Sequence, residues 1–184
     1  RDSLSEIDTV TFKFRKNETS SWQTACTDDR VDQTIGMCTW NLTMLEDGDS
    51  YQIRAFANDS FGNIGKNYTL FNITVDKTGP MTNITYPGNY SVITETQIKI
   101  NVTSTEDIVE IDNVIFEYRS NNTASWNEIC IDSTLPYSCD WNLIGLSAGS
   151  LYQIKAYGND TFGNIGKEDI LINLTIDYTG PEII

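Results

Sequence analysis

The sequence predicts an all-β chain built from tandem β-sandwich domains. Three observations predict it. Apolar residues recur with a period of two over short stretches, no stretch carries helical spacing, and the chain aligns on itself as two copies of one unit of about 100 residues.

The alignment sets the elements in order. Residues 7–15 lie on 111–119, and Trp22 and Cys26 lie on Trp126 and Cys130. In the first stretch Val10, Phe12 and Phe14 alternate with Thr11 and Lys13, which is the pattern of a half-buried strand. Cys38, Trp40, Asn41 and Leu42 then lie on Cys139, Trp141, Asn142 and Leu143, with the length difference confined between the cysteines. Tyr51, Ile53, Ala55 and Ala57 face one way and Gln52, Arg54 and Asn58 the other, giving the next strand. The nonapeptide from Asn58 to Lys66 recurs from Asn159 to Lys167 with one Ser/Thr exchange. Its Asn-Asp, Gly-Asn and Gly-Lys pairs are turn formers, so it predicts a hairpin, with Phe61 and Ile64 folded back over the end of the core. In 69–76, Phe71, Ile73 and Val75 alternate with Asn72, Thr74 and Asp76; in 97–103, Ile98, Ile100 and Val102 alternate with Gln97, Lys99 and Asn101. Amphipathic strands this short, in a unit of this size, predict a two-sheet sandwich.

Leu45-x-x-Gly48-x-x-Tyr51 recurs as Leu146-x-x-Gly149-x-x-Tyr152, just ahead of an alternating strand. It is similar to a tyrosine corner, in which the hydroxyl folds back onto the preceding backbone. With the Trp, Cys, Trp-Asn-Leu, Asn-Asp-x-x-Gly-Asn and Asp-x-Thr-Gly-Pro elements in their order, nearly the whole chain resembles the immunoglobulin-like and fibronectin type III-like modules of bacterial and archaeal surface proteins. The resemblance implies tandem immunoglobulin-like sandwiches in an extracellular setting and is silent on biochemical activity. The chain departs from antibody domains in its cysteines, which stand too close together in sequence for their inter-sheet bridge. The density of glycosylation sequons on so plain a module resembles archaeal surface proteins more than bacterial ones.

The expected domains are 1–77, a first repeat lacking its N-terminal strands, 78–178, a second repeat, and 179–184, the start of a further repeat or a donor strand. Arg1 aligns with Thr105, so the first repeat has no counterpart of Ile84–Ser104, and Asp177–Ile184 repeats Asp76–Asn83. Flanking repeats of a longer array would complete it, or a strand from a neighbouring subunit, as in donor-strand polymers.

Composition narrows the function. With 12 Lys+Arg against 26 Asp+Glu the net charge is −14, which argues against nucleic-acid binding and against docking on anionic lipid. There is no histidine, so Ser-His-Asp and Cys-His nucleophile systems and imidazole-containing zinc sites are excluded. No run of 18 apolar residues occurs, so no membrane insertion is expected, and the first residues do not read as a signal peptide. Glu106/Asp107 and Asp28/Asp29 are the carboxylate pairs available for acid–base work, but they fall in turns; no enzyme is expected.

Cys26/Cys38 and Cys130/Cys139 occupy equivalent places, and a local disulfide in each repeat is expected, closing a short connection outside the cytoplasm. Eleven of 17 asparagines begin glycosylation sequons: Asn17, Asn41, Asn58, Asn67, Asn72, Asn83, Asn89, Asn101, Asn121, Asn159 and Asn173. With 36 Ser+Thr in 184 residues chance would give about 3.3, so N-linked glycans are expected. The Gly62-to-Lys66 stretch is too short for a phosphate loop and lacks its Ser/Thr. Calcium is the other ligand considered, on Asp59, Asn63, Asp76, Glu106 and Asp107, although no recognised calcium-loop spacing is present. No other cofactor is expected.

These observations predict a structural repeat segment of a glycosylated extracellular filament, stalk or surface-layer protein. Its partners would be neighbouring repeats or subunits. The alternatives are an adhesin or carbohydrate-binding module, with Phe56, Tyr157 and Tyr68 as a sugar platform, and a donor-strand-assembled pilus subunit.

Overall fold

The computed structural model describes residues 6–29, 36–121, 123–178 and 180, so the 179–184 segment lies, Gly180 aside, outside the described residues. No helix occurs among them, and none is long and apolar enough to cross a membrane. The chain divides into two compact units, Arg1–Asp76 and Lys77–Ile184.

Unit 1 is one antiparallel sheet, ordered β2-β1-β3-β4, of β1 (Ile7–Lys16), β2 (Gln23–Asp28), β3 (Gly48–Asp59) and β4 (Tyr68–Val75). Unit 2 contains β5 (Met81–Tyr86), β6 (Val92–Ile93), β7 (Gln97–Thr105), β8 (Ile111–Ser120), β9 (Asn127–Asp132), β10 (Ser138–Asn142), β11 (Leu151–Asp160) and β12 (Asp169–Ile176). These form a three-stranded sheet, β10-β7-β5, and a five-stranded sheet, β6-β12-β11-β8-β9.

Period-two patterning builds the core of unit 2. Along β11, Tyr152, Ile154, Ala156, Gly158 and Asp160 are buried and alternate with half-buried neighbours. Ile98, Ile100 and Val102 of β7 and Cys139 and Trp141 of β10 join the same core from the other sheet. Phe116, Ile100, Leu143, Ile154, Leu174 and Ile176 are fully buried. Each such side chain contributes about 1.5–3 kcal/mol of transfer free energy. Trp141 packs 5.1 Å from Tyr118 and edge-on to Tyr152 at 6.3 Å. The Tyr152 hydroxyl accepts the Ser147 N–H at 2.9 Å, while the Tyr51 hydroxyl accepts the Glu46 N–H and donates to the Glu46 carbonyl. Both tyrosine corners are therefore closed.

Strict alternation fails in the last strand of each unit. Leu171 and Leu174 are both buried although three positions apart, because the register against β11 shifts and Asn173 turns left-handed at φ 55°. Such a bulge re-aims the residues that follow it. The shift recurs in β4, with Asn72 at φ 57°. Leu70 and Ile73, not Phe71, are thus the counterparts of the inward pair, and Phe71 stays exposed.

Among the described residues of unit 1 no opposing sheet occurs. Val10, Phe12, Ile53 and Ala55 are only half-buried, where Val114, Phe116, Ile154 and Ala156 are fully enclosed. Cys38–Leu42 forms no strand, although its equivalent is β10. The reason is pairing: β10 is held against β7, and no strand among the described residues of unit 1 takes the place of β7.

Candidate functional site

The repeated hairpin is organised by a buried carboxylate. Asp160 is 2% exposed; its Oδ1 accepts the N–H groups of Phe162 at 2.8 Å and Asn164 at 2.9 Å, and its Oδ2 accepts Asn164 Nδ2 at 2.8 Å. Asp59 holds Phe61 and Asn63 in the same way. Burial alone would raise the Asp160 pKa, but the bonds from Asn164, Phe162 and Gly163 outweigh it and hold the carboxyl below its ordinary value. The hairpin is thus tied from within. Phe61 and Ile64 consequently do not cover the core; they stand exposed, as do Phe162 and Ile165.

The same bonds engage several of the calcium candidates. Asp59 spends both oxygens on its own hairpin. Glu106 Oε1 accepts the N–H of Asp107. Among the described residues no group of three or more His, Cys, Asp or Glu, Asp76 included, is placed to hold a metal ion.

The second glycine of the hairpin meets the Thr-Gly-Pro segment that opens unit 2. A Cβ on Gly166 would overlap the Pro80 carbonyl oxygen and stand 2.9 Å from its carbonyl carbon. A Cβ on Gly79 would in turn overlap the Gly166 nitrogen. Met81 bridges Lys167 in parallel, and Pro80 is fully buried. The two motifs that recur most closely in the sequence are therefore two sides of one contact.

Each unit carries a disulfide, Cys26–Cys38 and Cys130–Cys139, with Cα atoms 6.1 Å apart in both. That separation suits the bond. Cys130 lies on β9 and Cys139 on β10, so the bridge of unit 2 does join its two sheets, at their edges and not through the core. Sequence reasoning missed the aspartate two residues on. Asp132 accepts from Thr134 and, at 2.8 Å, from the Ser138 N–H, and Asp28 accepts the Met37 N–H. The signal was available: both copies read Cys-x-Asp.

Two of the three rings of the proposed sugar platform, Phe56 and Tyr157, are half-buried and approached by cationic side chains. Arg119 lies 4.4 Å and Lys155 4.8 Å from the Trp126 ring, and Lys155 also lies 5.1 Å from Tyr157 and pairs with Glu117 and Glu168. In unit 1, Arg15 and Arg54 flank Trp22, and Lys13 and Arg54 approach Phe56. Phe56 and Tyr157 are thus rungs of a cation–aromatic ladder on the outer sheet face. Tyr68 is well exposed.

The sequons divide by environment. Asn17, Asn41, Asn67, Asn72, Asn83, Asn89 and Asn121 are exposed; Asn58, Asn101, Asn159 and Asn173 are half-buried. At Asn17 and Asn41 the side-chain oxygen accepts the sequon threonine hydroxyl, at 2.8 and 2.6 Å. Asn121 Nδ2 donates to Asn173 Oδ1 at 2.9 Å. Asn58 and Asn159 sit in paired strands with their Oδ1 atoms enclosed and without a protein hydrogen-bond partner.

The bacterial Ig domain family matches residues 80–156, which fall within unit 2. Unit 2 folds as an immunoglobulin-like β-sandwich. No curated protein sequence matches the chain. Among solved structures, the chain is similar to the fibronectin(III)-like modules of Clostridium thermocellum CbhA, at 17% identity and a TM-score of 0.47, over 96% of this chain and 82% of that one. It is also similar to the FN1–FN3 domains of chicken CNTN1, at 12% identity and 0.42, over 96% and 59%. A third is a tetra-tandem repeat in the extending region of a large adhesion protein, at 16% identity and 0.43, over 96% and 43%. The chain spans roughly half the length of these last two.

Proposed function

We propose that this chain is a structural repeat segment of a glycosylated extracellular filament, stalk or surface-layer protein. The observation that carries the reading is the joint placement of the sequons and cysteines. Seven sequon asparagines stand exposed, distributed over both units, and each unit carries one disulfide. Units stapled in this way resist unfolding, and sugar on their faces shields the strands from proteolysis and from edge pairing. The cations beside the half-buried Phe56 and Tyr157 rings speak against a flat carbohydrate-binding platform on the outer sheet face.

Immunogold labelling of intact, unpermeabilised source cells with an antibody against this chain tests the proposal. Label on surface structures is expected. Label that emerges only after permeabilisation would overturn it.

A further inference from the structure

We infer that unit 1 carries a docking cleft for a Thr-Gly-Pro-led strand segment, like Lys77–Thr105, supplied by a further repeat of the same polypeptide. The inference rests on the repeat reading above and adds the contact by which one repeat completes the next.

Unit 2 shows what an occupied cleft looks like. Pro80 is packed against Gly166, a Cβ on Gly158 would stand 3.1 Å from the Pro80 ring, and Met81 pairs with Lys167. β5 and β7 then continue from this anchor as the second sheet over the core. Unit 1 repeats the receiving surface with Ala57, Gly65 and Lys66 in the places of Gly158, Gly166 and Lys167. There the nearest atom to a Cβ on Gly65 is the Ala57 carbonyl oxygen, at 3.4 Å. In place of a proline lies a cleft of about 310 Å³, lined by Ile7, Ala57, Asn63, Ile64 and Gly65 among others.

Gly65 decides the matter. It is not among the glycines with positive φ, so its backbone does not require glycine. Its equivalent needs glycine only because Pro80 crosses it. Unit 1 thus keeps the accommodation for a crossing segment that the described chain does not place there. The inner sheet face agrees: Val10, Phe12, Ile53 and Ala55 are half-open, and Leu70 is 50% exposed where its counterpart Leu171 is buried. These are the residues that β5 and β7 would cover. Few other occupants meet both demands. The anchor must pass a glycine backbone at close range, and the strands that follow must present alternating apolar residues, as Ile98, Ile100 and Val102 do. The connection favours a repeat in line over a separate molecule. In unit 2 only Glu106–Glu110 separate β7 from β8, so the covering strand and the sheet it covers there belong to one continuous chain.

The test uses the full, isotopically labelled chain and an unlabelled synthetic peptide with the sequence of Lys77–Thr105, followed by residue-resolved hydrogen exchange. Amides in Ile53–Ala57 and Ile64–Lys66 are expected to slow by about tenfold or more on addition of peptide. Gly65→Ala, which leaves unit 1 folded, is expected to abolish the effect. A chain with residues 78–104 duplicated in line before Arg1 should no longer respond to peptide. No protection at millimolar peptide, or equal protection in Gly65→Ala, would overturn the cleft. Self-association of the unmodified chain that the peptide displaces would assign the cleft to a second molecule and overturn the in-line source. Surface labelling of cells reads the proposed function separately, so either idea can fail while the other stands.

Discussion

Pro80 crosses Gly166 so closely that no side chain fits between them, whereas the equivalent Gly65 faces only the Ala57 carbonyl. One glycine, two environments: the pair separates what the hairpin needs from what its partner segment needs.

Gly166→Ala is therefore expected to destabilise unit 2 by roughly 3 kcal/mol, because backbone and not a flexible side chain must give way. Gly65→Ala is expected to change unit 1 by less than about 0.5 kcal/mol. Denaturant titrations read by hydrogen-exchange mass spectrometry resolve the two units. Equal losses at both positions would show that the glycines serve the hairpin alone.

Asp160→Ala removes the acceptor of two N–H groups and an amide and should cost about 2–3 kcal/mol. Its pH dependence has a definite sign. The folded-state pKa lies below the ordinary 3.8, so the carboxylate's stabilisation is fully present above that value. It is lost as pH falls from 3.8 through the folded-state pKa. Asp132, where burial is likewise outweighed by bonds from Ser138 and Thr134, acts in the same window. Acid titrations of the wild type and of Asp160→Ala should differ below pH 3.8 less than they do at neutral pH. A constant difference across that range would exclude the carboxylate as the cause.

Replacing Cys130 and Cys139 together by serine should lower the stability of unit 2 by roughly 3 kcal/mol in the chain-entropy account. The edges of its two sheets would separate first, seen as faster exchange in β9 and β10. Loss of protection in β11 and β8 ahead of those strands would contradict the edge-staple geometry.

On the outer face, Trp126→Ala removes the surface shared by Arg119 and Lys155 and should cost about 1–2 kcal/mol. The variant should leave the fold intact by circular dichroism. A neutral effect on stability would return Tyr157 to the residues available for ligand binding.

What could be read from sequence was local. The tyrosine corner follows from a fixed spacing between Gly48 and Tyr51, and the hairpin from turn formers around Gly62. The inward faces of β7 and β11 follow from alternation that nothing interrupts. The failures share a different cause. At Asn173 and Asn72 a left-handed residue inserts a bulge, and no residue type in 69–76 announces it, since asparagine there also fits the polar phase. The missing strand at Cys38–Leu42 depends on a pairing partner far away in sequence. The role of Gly166 was invisible because the residue that demands it, Pro80, lies in another motif. Phe61 and Ile64 were misplaced for want of the Asp59 cradle, which closes the turn without them.

The most direct test of the extracellular, glycosylated assignment is peptide-mapping mass spectrometry of the native protein, with and without glycan removal and without reduction. The account predicts sugar on exposed asparagines such as Asn17 and Asn41, none on Asn58 or Asn159, and the pairs Cys26–Cys38 and Cys130–Cys139 intact. Bare asparagines throughout together with free thiols would contradict it.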